Sequence, residues 1–223
     1  MRRFATTLSM AMAGAAAVAA TAEAATFSIA PVKPCYLGGE MVTGTGAGFT
    51  AAGPVDIAAD STSLGQVTAE AAGGFITPPI TLGEMPGVKS HTLIATDQTN
   101  PALTATATFL GTTNTVSVKP PTGSAGTPRR IKGYGFLAGP KVYMHVRGRG
   151  YKSDGRIAKP KGACGTFEVR TTIVRPGASD GVYKVQFDAK RRYSKSTRPS
   201  VRGRLTVFHQ ARSSAARVAF VTR

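Results

Sequence analysis

The chain has 223 residues and a formal net charge of +17, with 26 glycines, 14 prolines, two cysteines and no tryptophan. Val, Thr, Ile, Phe and Tyr recur in short runs between glycine and proline, which favours strands and turns over helices. No apolar run of about 18 residues follows residue 24, so we expect no membrane span in the mature chain.

The first 24 residues have the pattern of a cleavable signal peptide. Arg2 and Arg3 precede a mostly apolar stretch, and "AEA" at 22–24 has the small-x-small pattern of a signal-peptidase site. The paired arginines leave twin-arginine export open beside the general route. We therefore expect cleavage after Ala24 and a secreted, extracytoplasmic protein, free or held non-covalently at the cell wall.

Charge is divided unevenly along the rest of the chain. Residues 25–111 contain two lysines against six acids, a net charge of −4. Residues 112–223 contain 24 lysines and arginines against four acids, a net charge of +20. This asymmetry indicates two units with different surfaces, and an anionic partner for the second.

Self-comparison of the sequence indicates two copies of one unit, because five short landmarks recur in the same order. The paired landmarks are VKP (32–34 and 118–120), GAGF and GYGF (46–49 and 133–136), GGF and GTF (73–75 and 165–167), MPG and RPG (85–87 and 175–177), and HTLIATD and VYKVQFD (91–97 and 182–188). We predict a first unit over residues 25–111, a second over 112–210, and a flexible basic tail over 211–223.

The stretch "GTGAGF" (44–49) raises the question of a phosphate-binding loop. Such a loop needs a helix after it, and Gly53 and Pro54 interrupt any helix within a turn. The stretch also recurs in the second unit ahead of an alternating strand. We therefore interpret it as a strand-end bend that needs glycine.

Apolar and polar residues alternate with a period of two in both copies, for example over 141–147 and 182–188. The alternation directs His145, Gln186 and Asp188 toward water, opposite the apolar side chains. About seven such strands per unit predict an all-β chain of two tandem immunoglobulin-like antiparallel β-sandwiches.

The order of "G-x-GF…G-x-V-x-I", "LGQVTAEAAGGF", "PG…HTLIATD" and "ATATF" resembles bacterial extracytoplasmic immunoglobulin-like repeats of secreted and wall-associated proteins. The first unit matches along most of its length, and the second keeps the frame with an arginine- and lysine-rich surface. The resemblance implies a sandwich fold and a binding, spacing or structural role, and it brings no catalytic residues.

Each predicted unit contains one cysteine, Cys35 in the first and Cys164 in the second. An even cysteine number in an exported protein suggests pairing. A bond between them would clamp the units together and contribute ~3–5 kcal/mol by the chain-entropy relation. Two separate thiols, or a bridge between molecules, are the alternatives.

No motif predicts catalysis. There is neither a G-x-S-x-G nucleophile elbow nor an H-E-x-x-H pair, and His91, His145 and His209 lack metal-ligand spacing. The acids that a glycosidase would need as a pair are interpreted as solvated: Asp56, Asp60 and Glu168. We predict that the protein is not an enzyme and uses no cofactor or metal.

Two basic loops, 147–162 and 189–204, carry the functional signal, because arginine suits bidentate contact with phosphate, sulfate or carboxylate. Tyr151 and Tyr193 would stack on sugars or bases. The candidate anion-binding residues are Lys141, Arg147, Arg149, Lys152, Arg156, Lys184, Lys190, Arg191, Arg192, Lys195, Arg198 and Arg204.

The sequence supports a structural or interaction module at the cell envelope, whose partner is an anionic polymer or a protein. The alternative is a dedicated binder of a wall phosphate polymer, an acidic glycan or nucleic acid, whose binding drops when Arg191, Arg192 and Arg198 are replaced together. Sequence-specific nucleic acid is not expected, since no groove-reading helix is present. Charge that serves only nonspecific adsorption, and a hydrolase with a pocket between the units, are further alternatives.

Overall fold

The structure is a computed structural model and describes residues 24–148 and 150–208. Every regular element within these residues is a strand, which confirms the predicted all-β class. No helix in this part of the chain is long and apolar enough to cross a membrane. Residues 1–23 of the predicted signal peptide, Arg149, His209 and the predicted tail over 211–223 lie outside the described residues.

The first half of the described chain forms two facing sheets. One has the order β1-β3-β6, with β7 also on β3, and the other the order β2-β9-β8-β4-β5. Side chains from both sheets, among them Phe27, Val55 and Leu93, are buried in one cluster. The strands are β1 (Thr26–Ala30), β2 (Tyr36–Leu37), β3 (Met41–Ala47), β4 (Pro54–Ala59), β5 (Thr62–Thr68), β6 (Phe75–Ile76), β7 (Ile80–Thr81), β8 (Lys89–Asp97) and β9 (Thr104–Thr112).

The second half repeats this plan with a three-stranded sheet, β10-β12-β15, and a five-stranded sheet, β11-β17-β16-β13-β14. Its own buried cluster includes Ile131, Val146 and Tyr183. The strands are β10 (Thr115–Lys119), β11 (Thr122–Gly123), β12 (Pro128–Tyr134), β13 (Val142–Gly148), β14 (Tyr151–Ala158), β15 (Phe167–Thr172), β16 (Gly181–Asp188) and β17 (Ser200–Val207). The exact boundary between two units stays a prediction.

The glycine landmarks occupy equivalent places in the two halves. A Cβ atom on Gly46 would lie 2.2 Å from the ring of Phe75, and one on Gly133 would lie 2.2 Å from the ring of Phe167. Any larger residue at either glycine would collide with a core phenylalanine. The glycines are needed because an aromatic ring of the core packs directly on the strand backbone.

The residues that follow complete the bend. Gly48 and Gly135 have φ values of +80° and +75°, the left-handed region that favours glycine. The next residues, Phe49 and Phe136, donate backbone hydrogen bonds of 3.0 and 3.1 Å to glycine carbonyls. The motif is therefore a strand and a bend, and the next regular element after the first copy is the strand β4.

One sequence landmark is displaced. β1 ends at Ala30 and β10 ends at Lys119, so the prolines that follow corresponding strands are Pro31 and Pro120. Pro120 therefore corresponds to Pro31 and not to Pro34, so the match between the two VKP segments is three residues out of register. A short tripeptide match slips easily where the two copies differ in loop length.

Cys35 and Cys164 form a disulfide with a Cα–Cα distance of 5.2 Å, and both are buried. The bond joins the segment before β2 to the loop before β15. Nearby, the Asn114 side chain donates a 2.9 Å hydrogen bond to the Gly135 carbonyl. The two halves of the described chain are thus linked by a disulfide as well as through the main chain.

Candidate functional site

Four basic residues face one another across the outer surface of the five-stranded sheet in the second half. Lys152 is opposite Arg147, Arg147 is opposite Lys184, and Lys184 is opposite Arg204. With strands about 4.8 Å apart, this basic row is about 14 Å long. Directly opposed like charges destabilise a sheet, so the fold tolerates the row at a cost.

The neighbouring row on the same surface is polar and mixed in charge. It runs Asp154, His145, Gln186 and Arg202 from β14 to β17. His145 Nδ1 lies 2.6 Å from Asp154 Oδ1, and Arg202 Nε donates a 3.0 Å hydrogen bond to Gln186 Oε1. These contacts tie β13 to β14 and β16 to β17 beside the basic row.

The prediction that His145, Gln186 and Asp188 face water is wrong, since they are only 0%, 3% and 1% exposed. They do lie on the face opposite the apolar core, as the alternation requires. The connection between β16 and β17, residues 189–199, folds back over them, and we call it the cover loop. His145 Nε2 lies 3.1 Å from the carbonyl of Lys190 in this loop.

Side chains of the sheet hold the cover loop through its backbone. Gln186 Nε2 donates a 2.9 Å hydrogen bond to the Ser194 carbonyl. Arg202 donates a short hydrogen bond to the Lys195 carbonyl. The loop is therefore anchored at several points along its length and positions its own cations beside the basic row.

Arg147 is the most firmly held member of the basic row. Its Nη2 atom contacts both carboxylate oxygens of Asp154, at 2.7 and 2.9 Å, and its guanidinium lies 4.3 Å from the ring centroid of Tyr193. Burial alone would raise the pKa of Asp154, but hydrogen bonds from His145 and Arg147 outweigh it and lower that pKa. Asp154 thus stays ionised and orients Arg147.

Neither predicted stacking tyrosine presents two free ring faces. Arg147 covers Tyr193, as described above. Tyr151 packs edge-to-face on Tyr183, with ring centroids 5.7 Å apart, and its hydroxyl accepts a 3.3 Å hydrogen bond from the Arg175 backbone. The surface therefore offers charge and hydrogen bonding more than aromatic stacking.

A groove of about 350 Å³ lies between the basic row and the cover loop. None of the described residues that line the groove is acidic. The groove-lining residues with a cationic or aromatic side chain are Arg147, Lys184, Tyr193, Lys195, Arg202 and Arg204. Five cations thus converge on one opening, which suits a ligand with several negative charges.

The remaining sequence candidates are distributed around this groove. Arg156 is exposed on β14 opposite Tyr143, and Lys141 precedes β13 at the far end of the strand from the row. The exposed cover-loop cations outside the groove lining are Lys190, Arg191, Arg192 and Arg198. Sequence reasoning missed Arg202, although its position two residues before Arg204 on one strand places both on the same face.

The other candidates for chemistry are engaged in pairs. His91 Nδ1 lies 2.9 Å from Asp60 Oδ2, Gln66 donates to Asp56, and Arg130 Nε lies 2.6 Å from Glu168 Oε1. Within the described ranges, no three His, Cys, Asp or Glu side chains group as metal ligands do.

No protein-family profile and no curated sequence matches the chain. Among solved structures, similarity extends to the adhesin InvE of Yersinia pseudotuberculosis, at 15% identity over 82% of this chain and 58% of that one, with a TM-score of 0.34. A tetra-tandem repeat from the extending region of a large adhesion protein is 20% identical over 83% and 49%, with a TM-score of 0.31. Red sea bream transglutaminase is 12% identical over 84% and 32%, with a TM-score of 0.32. The chain spans about half the length of the two adhesion proteins.

Proposed function

We propose that this protein is a non-catalytic, extracytoplasmic interaction module that binds an anionic polymer at the cell envelope through the basic row and its groove. The observation that carries the proposal is the alignment of Lys152, Arg147, Lys184 and Arg204 on four adjacent strands. An opposed row of like charges opposes folding, and a polyanion laid along the row removes that repulsion.

The condition of the individual side chains supports binding. Lys152, Lys184 and Arg204 form no ion pair with any described acid. Arg147 is already oriented by Asp154, so less side-chain entropy is lost when it meets a ligand. Three uncompensated cations beside one fixed guanidinium form a surface that is prepared for several anionic groups.

The chemistry of the ligand follows from these donors. Guanidinium groups form bidentate contacts with phosphate, sulfate and carboxylate, while lysine contributes point charge. A linear polymer that repeats such groups matches a row about 14 Å long better than a compact anion does. Wall phosphate polymers and acidic glycans meet this description and are present outside the cytoplasm.

The test is a binding titration of the mature protein against cell-envelope polymers and polyglutamate at several salt concentrations. The row variant Lys184→Gln/Arg204→Gln is compared with Arg191→Gln/Arg192→Gln, which removes the same charge from the cover loop outside the groove. We expect the row variant to lose at least tenfold more affinity than the loop variant, and to reduce the salt slope by about 2.

Equal losses in the two variants would overturn the proposal. If, in addition, every polyanion bound alike and about 0.3 M salt abolished all binding, the charge would serve only nonspecific adsorption. The triple replacement of Arg191, Arg192 and Arg198 separates the same alternatives, because the proposal assigns these exposed arginines a smaller share of the affinity.

A further inference from the structure

A second basic cavity lies where the two halves of the chain meet. Its volume is about 850 Å³, within the range of ligand sites in proteins. The first half contributes residues 86–89, and the second half contributes residues of β12, β14 and β15 and of the loop between β14 and β15. We call it the cleft, and none of the residues of the basic row lines it.

Four lysines line the cleft against a single acid. The acid is Glu168, and Arg130 neutralises it through a 2.6 Å contact. The hydrogen bond from Arg130, with a smaller contribution from Coulomb attraction, lowers the pKa of Glu168 and keeps it ionised. The lysines of the cleft are Lys89, Lys132, Lys159 and Lys161.

The first half of the chain contributes one lysine, Lys89, to the cleft. Residues 25–111 have a net charge of −4 and contain two lysines, Lys33 and Lys89. Lys33 is paired with Glu40 at 2.9 Å, whereas Lys89 has no acidic partner among the described residues. The acidic half thus presents its one unpaired cation to the lysines of the basic half.

The disulfide holds this arrangement in place. Cys164 lies in the short turn that carries Lys161, and the backbones of Lys161 and Thr166 close the turn with two 2.8 Å hydrogen bonds. Cys35 anchors the turn to the first half. The distance between Lys89 and Lys161 is therefore constrained by a covalent bond.

Strand β14 connects the cleft to the basic row. Lys152 belongs to the row, Asp154 beside it is paired with Arg147, Arg156 lies further along the same strand, and Lys159 follows its end at the cleft. At about 3.3 Å per residue, Lys152 and Lys159 are about 23 Å apart. A path across the strands along the row, about 14 Å, and then along β14 to the cleft, about 23 Å, is therefore roughly 37 Å long.

Resting on the proposed function, we propose that the cleft is a second subsite for the same polymer, so that one linear polyanion occupies the basic row and the cleft together. The polymer then contacts both halves of the chain, with Lys89 as the contact of the first half. Two subsites on one ligand raise affinity through effective concentration, and the gain appears only when the ligand is long enough to reach both.

Oligoglutamates of defined length provide the probe, because an extended peptide spans about 3.3–3.6 Å per residue. A 4-mer of roughly 14 Å covers the row alone, and a 16-mer of roughly 55 Å reaches the cleft. The cleft variant is Lys89→Gln/Lys159→Gln/Lys161→Gln. The control with the same charge change is Arg175→Gln/Arg191→Gln/Arg192→Gln, whose residues line neither cavity.

We expect the cleft variant to bind the 4-mer as the wild type does and to bind the 16-mer at least tenfold more weakly, while the control loses threefold or less. Cys35→Ser/Cys164→Ser should weaken binding of the 16-mer and leave binding of the 4-mer unchanged. If this cysteine variant does not fold, the cleft variant alone tests the inference. Equal loss of 16-mer binding in cleft variant and control overturns the inference, and loss of 4-mer binding in the cleft variant overturns it in favour of a separate small-anion site. If the row variant binds the 4-mer as the wild type does, the proposed function itself fails.

Discussion

Lys184 is the residue at which stability and binding should change in opposite directions. It lies directly opposite Arg147 on one side and Arg204 on the other, so its ammonium group is repelled from both neighbouring strands. Replacing it with glutamine keeps a polar side chain, one atom shorter, and removes the charge. We predict that Lys184→Gln stabilises the folded protein and weakens polyanion binding.

The size of the gain follows from the pairing. Cross-strand pairs of opposite charge contribute about 0.2–1 kcal/mol each, and we take a cost of the same size for directly opposed like charges, which destabilise a sheet. The charge of Arg147 is partly balanced by Asp154 at 2.7 Å. The total repulsion energy of the two pairs that Lys184 forms therefore lies near the lower end of this range. We expect about 0.5–1 kcal/mol of stabilisation at low salt, a rise in Tm of roughly 1–4 °C for a chain of this size.

Thermal unfolding at 20 mM and 1 M salt measures the effect. The gain should disappear at 1 M salt, where the Debye length is about 3 Å. Arg175→Gln is the matched control, because Arg175 is exposed outside the row and should show almost no change. A Lys184→Gln protein that is less stable than wild type at low salt, or a gain that persists at 1 M salt, would refute the repulsion argument.

Three further predictions concern the elements that support the site. Replacing Cys35 and Cys164 with serine should lower the free energy of complete unfolding by about 5 kcal/mol, since the bond closes a separation of 129 residues; a urea titration showing under 1 kcal/mol would contradict this. His145→Leu removes one of three groups that contact the buried Asp188 carboxylate, beside Gln186 and the Lys190 backbone, and it also removes the 3.1 Å contact to the Lys190 carbonyl. It should cost about 2 kcal/mol and speed trypsin cleavage in the cover loop, and unchanged cleavage would exclude the anchoring role. Burial would raise the pKa of Asp97, but three backbone N–H donors outweigh it and lower that pKa. Asp97→Asn should therefore cost about 2 kcal/mol at pH 7, with the difference from wild type lost as the pH falls below about 4; a pH-independent difference would show that the charge contributes nothing.

The repeat and its glycines could be predicted because they arise from local requirements. A ring that packs on a strand backbone allows only glycine at Gly46 and Gly133, and that requirement leaves the same short motif in both copies. Alternation likewise assigned Tyr183 and Phe187 to the core, where both are buried. Such features leave a pattern in the sequence, because they recur in both copies or alternate along one strand.

The burial of His145, Gln186 and Asp188 could not be predicted in the same way. Alternation assigns a residue to one face of a sheet, but it does not reveal what covers that face. Here the covering segment is a polar, basic connection of the same sheet, the cover loop, whose composition is typical of an exposed loop. Its burial of polar groups depends on hydrogen bonds to its backbone that leave no pattern in the sequence.

The basic row depends on strand register. A β-bulge between Val142 and Tyr143 shifts the pairing of β13 with β14, and a shift of one residue moves every side chain to the other face. Composition located the cations in two loops and their flanking strands. Only the register decides that Arg147, Lys184 and Arg204 oppose one another.

The most direct test of the central claim is an NMR titration of the ¹⁵N-labelled mature protein with a cell-envelope polyanion at 0.15 M salt. We predict that backbone amide shifts concentrate on β13, β16 and β17 around Arg147, Lys184 and Arg204, and that Lys184→Gln/Arg204→Gln abolishes them. Shifts spread evenly over all exposed cations of the second half, and unchanged in that variant, would contradict a defined binding row.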